Sequence, residues 1–174
     1  CYSGLQRFSR HHCEERLDLT MKLEGKSIVV TGASAGMGQA IVTLLAQEGA
    51  NIIAVARRKE RLEALAEVLK DAPGKVVPYA GDVSDPAVCE GMIDAAVKEF
   101  GRLDVLVNNA PPLFLGLNEC TYEQFQQSMA IGVTAPFYLS KLFAPYFAPG
   151  ASIINISSSR DRMSQPLGVF IQPS

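Results

Sequence analysis

From Lys26 onward, short apolar runs alternate with amphipathic stretches. Five runs rich in Val, Ile and Leu have the length of buried strands: SIVV, NIIAVA, KVVPYA, LDVLVNNA and ASIINISS. Each of the first four is followed by a stretch of helical periodicity, over residues 39–48, 59–70, 86–100 and 122–143. Strands that alternate with helices in this way predict an α/β fold with a parallel sheet, covered by helices on both faces.

The helical stretches carry signals for their faces and their ends. Helical spacing predicts the core face of the first helix as Ala40, Ile41, Leu44 and Leu45, and that of the second as Leu62, Leu65, Ala66 and Leu69. Gly49 is placed to end the first helix. Asp85 followed by Pro86 predicts the start of the third helix, and Gly101 its end. In the fourth, Pro136 predicts a kink.

Composition and charge narrow the class of protein. The chain has 174 residues, of which 48% are hydrophobic and 20% charged, so one domain with a sizeable core is expected. The net charge of -2 gives no basic field for nucleic acid or an anionic membrane. No apolar run approaches the roughly 18 residues that a membrane span needs. We therefore expect a soluble chain whose partners are neither nucleic acids nor membranes.

The cysteines and the first residues bear on location and domain limits. The four cysteines form no C-x-x-C pair and no metal-ligand spacing, which favours a reduced, cytoplasmic setting without a metal site. Residues 1–20 contain no apolar signal core and balance their arginines with acids. We interpret them as a disordered upstream or non-native extension. The domain is then expected over residues 21–174.

The stretch TGASAGMG, residues 31–38, fits two motifs. Its G-x-S-x-G pattern is that of a hydrolase elbow with Ser34 as nucleophile. That mechanism needs a histidine after the serine, but His11 and His12 both precede it. The other interpretation is a turn whose glycines let backbone N–H groups approach a pyrophosphate at a helix N-terminus. Because a Walker lysine is also absent, this second interpretation, a dinucleotide cradle, is favoured.

Four ordered motifs then resemble the short-chain dehydrogenases/reductases. That family carries T-G-x-x-x-G-x-G after its first strand, as in residues 31–38 here. The resemblance continues with Asp82-Val83 after strand three, Asn108-Asn109-Ala110 closing strand four, and INISSS closing strand five. It extends over about residues 22–166. It implies a Rossmann-type, doubly wound sheet, incomplete at its C-terminal side, with ligands at the carboxyl ends of the strands.

The resemblance also assigns cofactor-binding residues. In the cradle these are Gly32, Ser34, Gly36, Met37 and Gly38. Asp82 and Val83 are expected to contact the adenine, and Asn109 and Ala110 to line the cofactor beside the sheet. Where NAD-binding relatives carry an acid at the end of strand two, this chain has Ala56 followed by Arg57. A forked guanidinium suits the 2′-phosphate, so NADP is favoured over NAD as cofactor.

The catalytic groups of the family are only partly present. The serine that holds the substrate oxygen maps to Ser158, with Ser157 and Ser159 as alternatives, while the supporting asparagine is replaced by Gly132. Family members carry Tyr-x-x-x-Lys soon after this serine, but no tyrosine follows Tyr146 and no lysine follows Lys141. Pro111 and Pro112 replace residues beside the expected nicotinamide ribose. We read the loss of pattern after Pro166 as C-terminal truncation or a frame shift.

Two functions remain open at this stage. The first is hydride transfer between NADP(H) and a small carbonyl or secondary-alcohol substrate, by a family whose full-length members are expected to be homo-oligomers; this particular chain would be inactive without the acid/base pair. The second is a non-catalytic nucleotide-binding or interaction module that keeps half of the fold. An exposed sheet edge and an uncovered face further predict low stability or self-association.

Overall fold

The computed structural model describes residues 22–113 and 118–157, in which five strands alternate with helices. The first half contains β1 (Ser27–Thr31), α1 (Gly36–Gln47), β2 (Asn51–Ala56), α2 (Lys59–Val68), β3 (Val76–Ala80) and α3 (Pro86–Phe100). The second half contains β4 (Val105–Asn108), α4 (Tyr122–Met129), a π-helical segment (Ala130–Thr134), α5 (Ala135–Phe143), a 3-10 turn (Ala144–Tyr146) and β5 (Ser152–Asn155). Residues 1–20 and Ser158, on which two sequence predictions rest, lie outside the described ranges.

The strands of the described residues form one parallel sheet in the order β3-β2-β1-β4-β5. In its centre, Val29 of β1 pairs in register with Ile53 of β2 and Leu106 of β4. From β1 the chain thus adds β2 and β3 on one side, and then crosses to the other side of β1 to add β4 and β5. This reversal creates a crevice at the carboxyl ends of β1 and β4, where ligands bind in such folds. The predicted doubly wound parallel sheet is confirmed.

The sheet has a separate apolar core on each face. On one face, α1 and α2 cover alternate residues of β1 and β2, with Val42, Ala46, Leu62 and Leu65 buried against Ile28, Val30, Ile52 and Ala54. On the other face, α3 and α5 cover the remaining residues, with Met92, Ile93, Leu139 and Phe143 buried around Val29, Ile53 and Leu106. Strands buried on both faces explain why the middle residues of β1 and β2 are all apolar.

A buried carboxylate joins strands at the opposite, amino end of the sheet. Asp104 accepts hydrogen bonds from the backbone N–H of Ser27 at 2.9 Å, from Arg102 Nε at 2.7 Å and from Lys26 Nζ at 3.3 Å. Burial disfavours the charged form, but these donors outweigh it and hold the pKa of Asp104 below its ordinary value. The ionised carboxylate therefore links the start of β1 to the start of β4.

The core face of α1 agrees with the sequence prediction only in part, because Ile41 and Leu45 pack against the core but are no more than partly buried. The buried residues of the helix are Gly38, Val42 and Ala46, whereas Ala40 is exposed and the Leu44 side chain is 63% exposed. The reason is that α1 begins at Gly36, three residues earlier than expected, and packs Gly38 against the turn before it. Residues four apart from Gly38 then face the sheet. The predicted face of α2 is confirmed at Leu62, Leu65 and Leu69.

The long helix predicted over residues 122–143 is interrupted. The chain changes to π-helical geometry at Ala130–Thr134 and resumes as α5, with Pro136 in its first turn. Proline fits at the start of a helix because its missing N–H is not needed there. The break therefore precedes Pro136 instead of centring on it. The predicted ends of α3 are confirmed: Asp85 accepts from Ala87 N at 2.9 Å, and Gly101 adopts a left-handed C-cap.

Candidate functional site

The predicted cofactor-binding residues lie along the carboxyl edge of the sheet. The glycine turn, with Gly32, Ser34 and Gly36, connects β1 to α1, and Met37 and Gly38 are in the first turn of α1. Arg57 comes directly after β2, Asp82 and Val83 after β3, and Asn109 and Ala110 after β4. The fold thus brings four separate segments of the chain to one edge. Their roles toward a ligand stay predictions from the resemblance.

Steric contacts explain the glycines of the turn. A Cβ atom on Gly38 would lie 2.1 Å from the Gly32 carbonyl oxygen and 2.6 Å from Asn109 Nδ2. One on Gly32, whose φ is +68°, would lie 2.8 Å from Cα of Ala110. Any side chain at either position would force the turn away from β4. Gly36 has open space around it, but its φ of +56° also favours glycine.

Two polar side chains fix this turn against the end of β4. The hydroxyl of Thr31 accepts hydrogen bonds from the backbone N–H groups of Asn109 at 2.9 Å and Ala110 at 3.1 Å. In return, Asn109 Nδ2 donates to the carbonyl oxygen of Thr31 at 3.0 Å. The two bonds of Asn109 are buried and that of Ala110 is partly buried, so water cannot easily replace them. Asn109 therefore holds the glycine turn against the end of β4. This role is additional to its expected position beside the cofactor.

The N-terminus of α1 has no side-chain cap among the described residues, and no acidic residue stands in its first turn. Asp85 caps α3 and Thr121 caps α4, whereas α2 also starts without a side-chain cap but carries Glu60 in its first turn. An uncapped helix start leaves N–H groups available and carries partial positive charge, so it favours an anion. The glycine turn gives an anion access to those groups. This combination fits the pyrophosphate of a dinucleotide.

Two arginines stand beside the cradle at the end of β2. Arg57 is exposed, and no hydrogen bond joins its side chain to another described residue. The neighbouring Arg58 donates from its guanidinium to Ser34 Oγ at 3.2 Å, directly across the turn. Sequence reasoning selected Arg57 alone. The structure adds Arg58, whose contact with Ser34 of the glycine turn a pattern of adjacent arginines could not show.

The segment after β3 is held by a small polar network. Ser84 donates to the Asp82 carboxylate from both its backbone N–H and its hydroxyl, and Gln127 of α4 donates to that hydroxyl. Beneath this segment lies Cys89, whose thiol donates to the Val83 carbonyl at 3.2 Å. Burial, and then the nearby carboxylates, raise the pKa of Cys89 to about 11. At neutral pH this thiol is protonated, so it is suited to packing and not to nucleophilic chemistry.

A cleft of about 390 Å³ opens where β4, β5 and α5 meet. Of the predicted cofactor residues, Met37, Val83, Asn109 and Ala110 line it, while the other six lie outside its lining. Most of the remaining lining is apolar, including Pro111, Pro112 and Phe137. Gly132, in the π-helical segment, and Ser157 also line the cleft. Ser158, the predicted catalytic serine, directly follows the last described residue.

One amide pair crosses the cleft floor. Asn108 Nδ2 donates to Asn155 Oδ1 at 2.8 Å, which connects the ends of β4 and β5. Asn108 is 7% exposed, and its own Oδ1 has no partner among the described residues. Asn108 thus connects the carboxyl ends of two neighbouring strands. None of the described residues group as three potential metal ligands, and no described helix has the length and apolar character to cross a bilayer.

A comparison with models of known protein families shows to which family the chain belongs. The model for the short chain dehydrogenases matches residues 26–170. The chain belongs to the short-chain dehydrogenase family. The resemblance seen in the four sequence motifs is thereby confirmed, and the match extends to within four residues of the end of the chain.

Individual members of the short-chain dehydrogenase family are similar over most of this chain. An uncharacterized oxidoreductase of Methylorubrum extorquens is 40% identical over 139 residues, which is 79% of this chain and 56% of the relative. A 3-oxoacyl-[acyl-carrier-protein] reductase of Thermotoga maritima is 36% identical over 144 residues, 79% of this chain and 57% of the relative. The chain thus spans a little over half of the length of these curated relatives.

A solved structure supports the same placement. A short chain dehydrogenase of Burkholderia cenocepacia, determined in complex with NADP, superposes with a TM-score of 0.79 at 28% identity. The superposition covers 84% of this chain and 60% of the other. As in other short-chain dehydrogenases, the glycine turn of this chain stands between the first strand and the first helix of the sheet.

Three residues at the site were missed from the sequence. Arg58 and Ser84 are next to predicted residues, but only the structure shows their contacts with Ser34 and Asp82. Gln127 is more than forty positions from Ser84, and no sequence signal connects the two. The packing of α4 against the segment after β3 brings them together.

Proposed function

We propose that this chain binds NADP(H) at the glycine turn, and that the short-chain dehydrogenase to which it corresponds transfers hydride between the nicotinamide and a carbonyl or secondary-alcohol carbon. The observation that carries the proposal is the side-chain-free turn at Gly32 and Gly38 beneath an uncapped helix start. The family match and the NADP complex of the relative from Burkholderia support it. We also propose that the substrate is a small carbonyl compound or alcohol, that the full-length enzyme forms homo-oligomers, and that it is cytoplasmic.

Each part of the edge has a proposed task. The N–H groups at the start of α1 would hold the pyrophosphate, with Ser34 beside them. Asp82 and Val83 would contact the adenine, while Asn109 and Ala110 would lie beside the nicotinamide ribose. A bound nicotinamide supplies or accepts the hydride. Ser158 would hold the substrate oxygen at the cleft, where the apolar lining excludes water from a small substrate.

The preference for NADP rests on charge at the end of β2. Arg57 and Arg58 are both exposed there, and the acid that would favour the free ribose hydroxyl of NAD is replaced by Ala56. Guanidinium groups donate paired hydrogen bonds to phosphate oxygens. The contact of Arg58 with Ser34 holds one of the two guanidiniums over the turn. We therefore include Arg58 with Arg57 in the proposed 2′-phosphate site.

Titration of the purified chain with NADPH and NADH, followed by nicotinamide fluorescence, tests this assignment. We expect NADPH to bind about tenfold more tightly than NADH, because a phosphate held by a charged donor adds roughly 1.5–3 kcal/mol. Arg57→Ala and Arg58→Ala should each reduce this ratio. Arg61→Ala, which removes an exposed arginine of α2, is the matched control and should preserve it. Equal affinities, or tighter binding of NADH, would refute the NADP assignment.

Turnover is a separate question, because the 174 residues contain no tyrosine after Tyr146 and no lysine after Lys141. We propose that this chain alone binds cofactor without reducing a carbonyl, since no acid/base group is supplied for the substrate oxygen. An assay of NADPH absorbance with a panel of small ketones should show no decrease above the blank. A decrease proportional to protein concentration would contradict the proposed inactivity and leave cofactor binding intact.

A further inference from the structure

A directed chain of hydrogen bonds connects α4 to the segment after β3. Gln127 Nε2 donates to Ser84 Oγ at 3.0 Å, and that hydroxyl donates to Asp82 Oδ1 at 2.8 Å. The backbone N–H of Ser84 donates to the same carboxylate oxygen at 3.0 Å. A hydroxyl has one proton, so a donor on one side of Ser84 directs that proton toward Asp82. Bonds in series of this kind strengthen one another.

The network leaves half of the Asp82 carboxylate available. Both bonds from Ser84 end on Oδ1, and no hydrogen bond joins Oδ2 to a described residue. Fixing one oxygen restricts the rotation of the carboxylate and so determines where the other oxygen points. An oriented carboxylate oxygen is an acceptor for an amine. The exocyclic amine of adenine is the donor expected beside Asp82 if the proposed function is right.

Gln127 is unusual in a helix that is largely exposed. The only buried residue of α4 is Ser128, and the side chain of the preceding Gln126 pairs within the helix, with Tyr122. Gln127 instead reaches a segment 43 residues earlier in the chain. A glutamine side chain loses rotational freedom in such a contact, a cost that its hydrogen bond to Ser84 offsets.

We propose that Ser84 and Gln127 are positioning residues for adenine recognition: together they orient the Asp82 carboxylate so that its second oxygen accepts the exocyclic amine of the adenine. This inference rests on the proposed cofactor site and adds two residues to it. Gln127 acts on Ser84, and Ser84 acts on Asp82, so both residues exert their effect through the Asp82 carboxylate. Substitution of Gln127 in α4 should consequently weaken the recognition of adenine and leave the binding of the phosphates unchanged.

Two ligands isolate this effect. One is NADPH, and the other is its analogue in which hypoxanthine replaces adenine, so that a carbonyl oxygen stands in place of the amine. The full chain is titrated with both, and the ratio of the two Kd values is compared among variants. If Ser84 and Gln127 served only the folding of the chain, their loss would weaken the binding of both ligands equally and leave the ratio of Kd values unchanged. Loss of orientation at Asp82 would weaken NADPH alone.

We expect the unaltered chain to prefer NADPH by about tenfold, the range of one hydrogen bond to a charged acceptor. Ser84→Ala and Gln127→Ala should each reduce the preference to about threefold or less. Ser84→Thr keeps the hydroxyl and should restore the preference. Gln126→Ala is the matched control on the same helix, because that side chain stays outside the network, and it should leave the ratio unaltered.

The remaining outcomes separate this inference from the function on which it rests. If the unaltered chain binds neither nucleotide, the proposed cofactor site itself fails. If it binds both equally, Asp82 does not read the amine and the positioning role is overturned. If it prefers NADPH and both alanine variants keep that preference, the cofactor site stands and the roles of Ser84 and Gln127 are refuted.

Discussion

Gly38 is the residue of the turn with the least room, because a Cβ atom there would meet the Gly32 carbonyl oxygen and the Asn109 side chain. Neither neighbour can move easily. The carbonyl is part of the backbone, and Asn109 is fixed by its bond to Thr31. A single methyl group should therefore displace the turn from the position at which its N–H groups converge.

We expect Gly38→Ala to lower the affinity for NADPH by about tenfold or more, since one charge-assisted hydrogen bond contributes roughly 1.5–3 kcal/mol. Gly91→Ala is the matched control. It also places a Cβ in a helix at 2.1 Å from a neighbour, but that neighbour is the hydroxyl of the Tyr79 side chain, which can rotate away. Fluorescence titration of both variants measures the difference. Equal affinities for the two variants would contradict the steric account of the turn.

At the scale of secondary structure, Asp104 connects elements that are distant in sequence. Its carboxylate receives the first N–H of β1 and the side chains of Lys26 and Arg102. Because these donors hold its pKa below the ordinary value in the folded chain, the stabilisation is complete above the unfolded-state pKa. It is lost as the pH falls through the lower, folded-state pKa.

Asp104→Asn should lower the free energy of unfolding by about 1–3 kcal/mol near neutral pH, the usual loss for a buried bond to a charged group. In acid, below the folded-state pKa, the parent and the variant should converge. Urea unfolding over a series of pH values from about 7 downward tests this, because the difference should begin to shrink as the pH falls through the ordinary aspartate pKa of about 3.9. Asp71→Asn, in an exposed loop after α2, should have no such effect. A difference between parent and Asp104→Asn that persists undiminished in acid would contradict the assignment.

The elements themselves were largely predictable. Apolar runs and helical stretches located all five strands and the first three helices to within a few residues, because burial on both faces makes the middle of β1 and of β2 uniformly apolar. The face of α1 was predicted only at Ile41 and Leu45, since its centre depends on the contact of Gly38 with Gly32 and Asn109. The π-helical segment was also missed, because proline marks a boundary without showing on which side the geometry changes.

The site was predictable only where a motif was contiguous. T-G-x-x-x-G-x-G located the turn, and Arg57, Asp82 and Asn109 followed from their places after strands. Contacts between distant side chains could not be predicted, because the bond from Gln127 to Ser84 depends on the three-dimensional position of α4. Thr31 accepts hydrogen bonds from two backbone N–H groups at the end of β4, and this role likewise became visible only in the structure.

At the scale of the whole molecule, the described residues form a sheet whose β5 edge is the less protected one. Ile154 of β5 is 45% exposed, and Phe137 on α5 is 69% exposed. The sequence predicts low stability or self-association for such an edge, and that stays a prediction. The cradle lies between β1, β2 and β4, in the most buried part of the sheet. Cofactor binding should thus depend on the central strands and little on this edge.

Hydrogen exchange of the backbone amides with and without saturating NADPH tests the central claim, that the turn between β1 and α1 holds the dinucleotide. The account predicts slower exchange on binding for the amides of residues 32–38, whose N–H groups would face the pyrophosphate. The first turn of α3, already capped by Asp85, should be unaffected. Unchanged exchange in residues 32–38, or slowing confined to other segments, would contradict the claim.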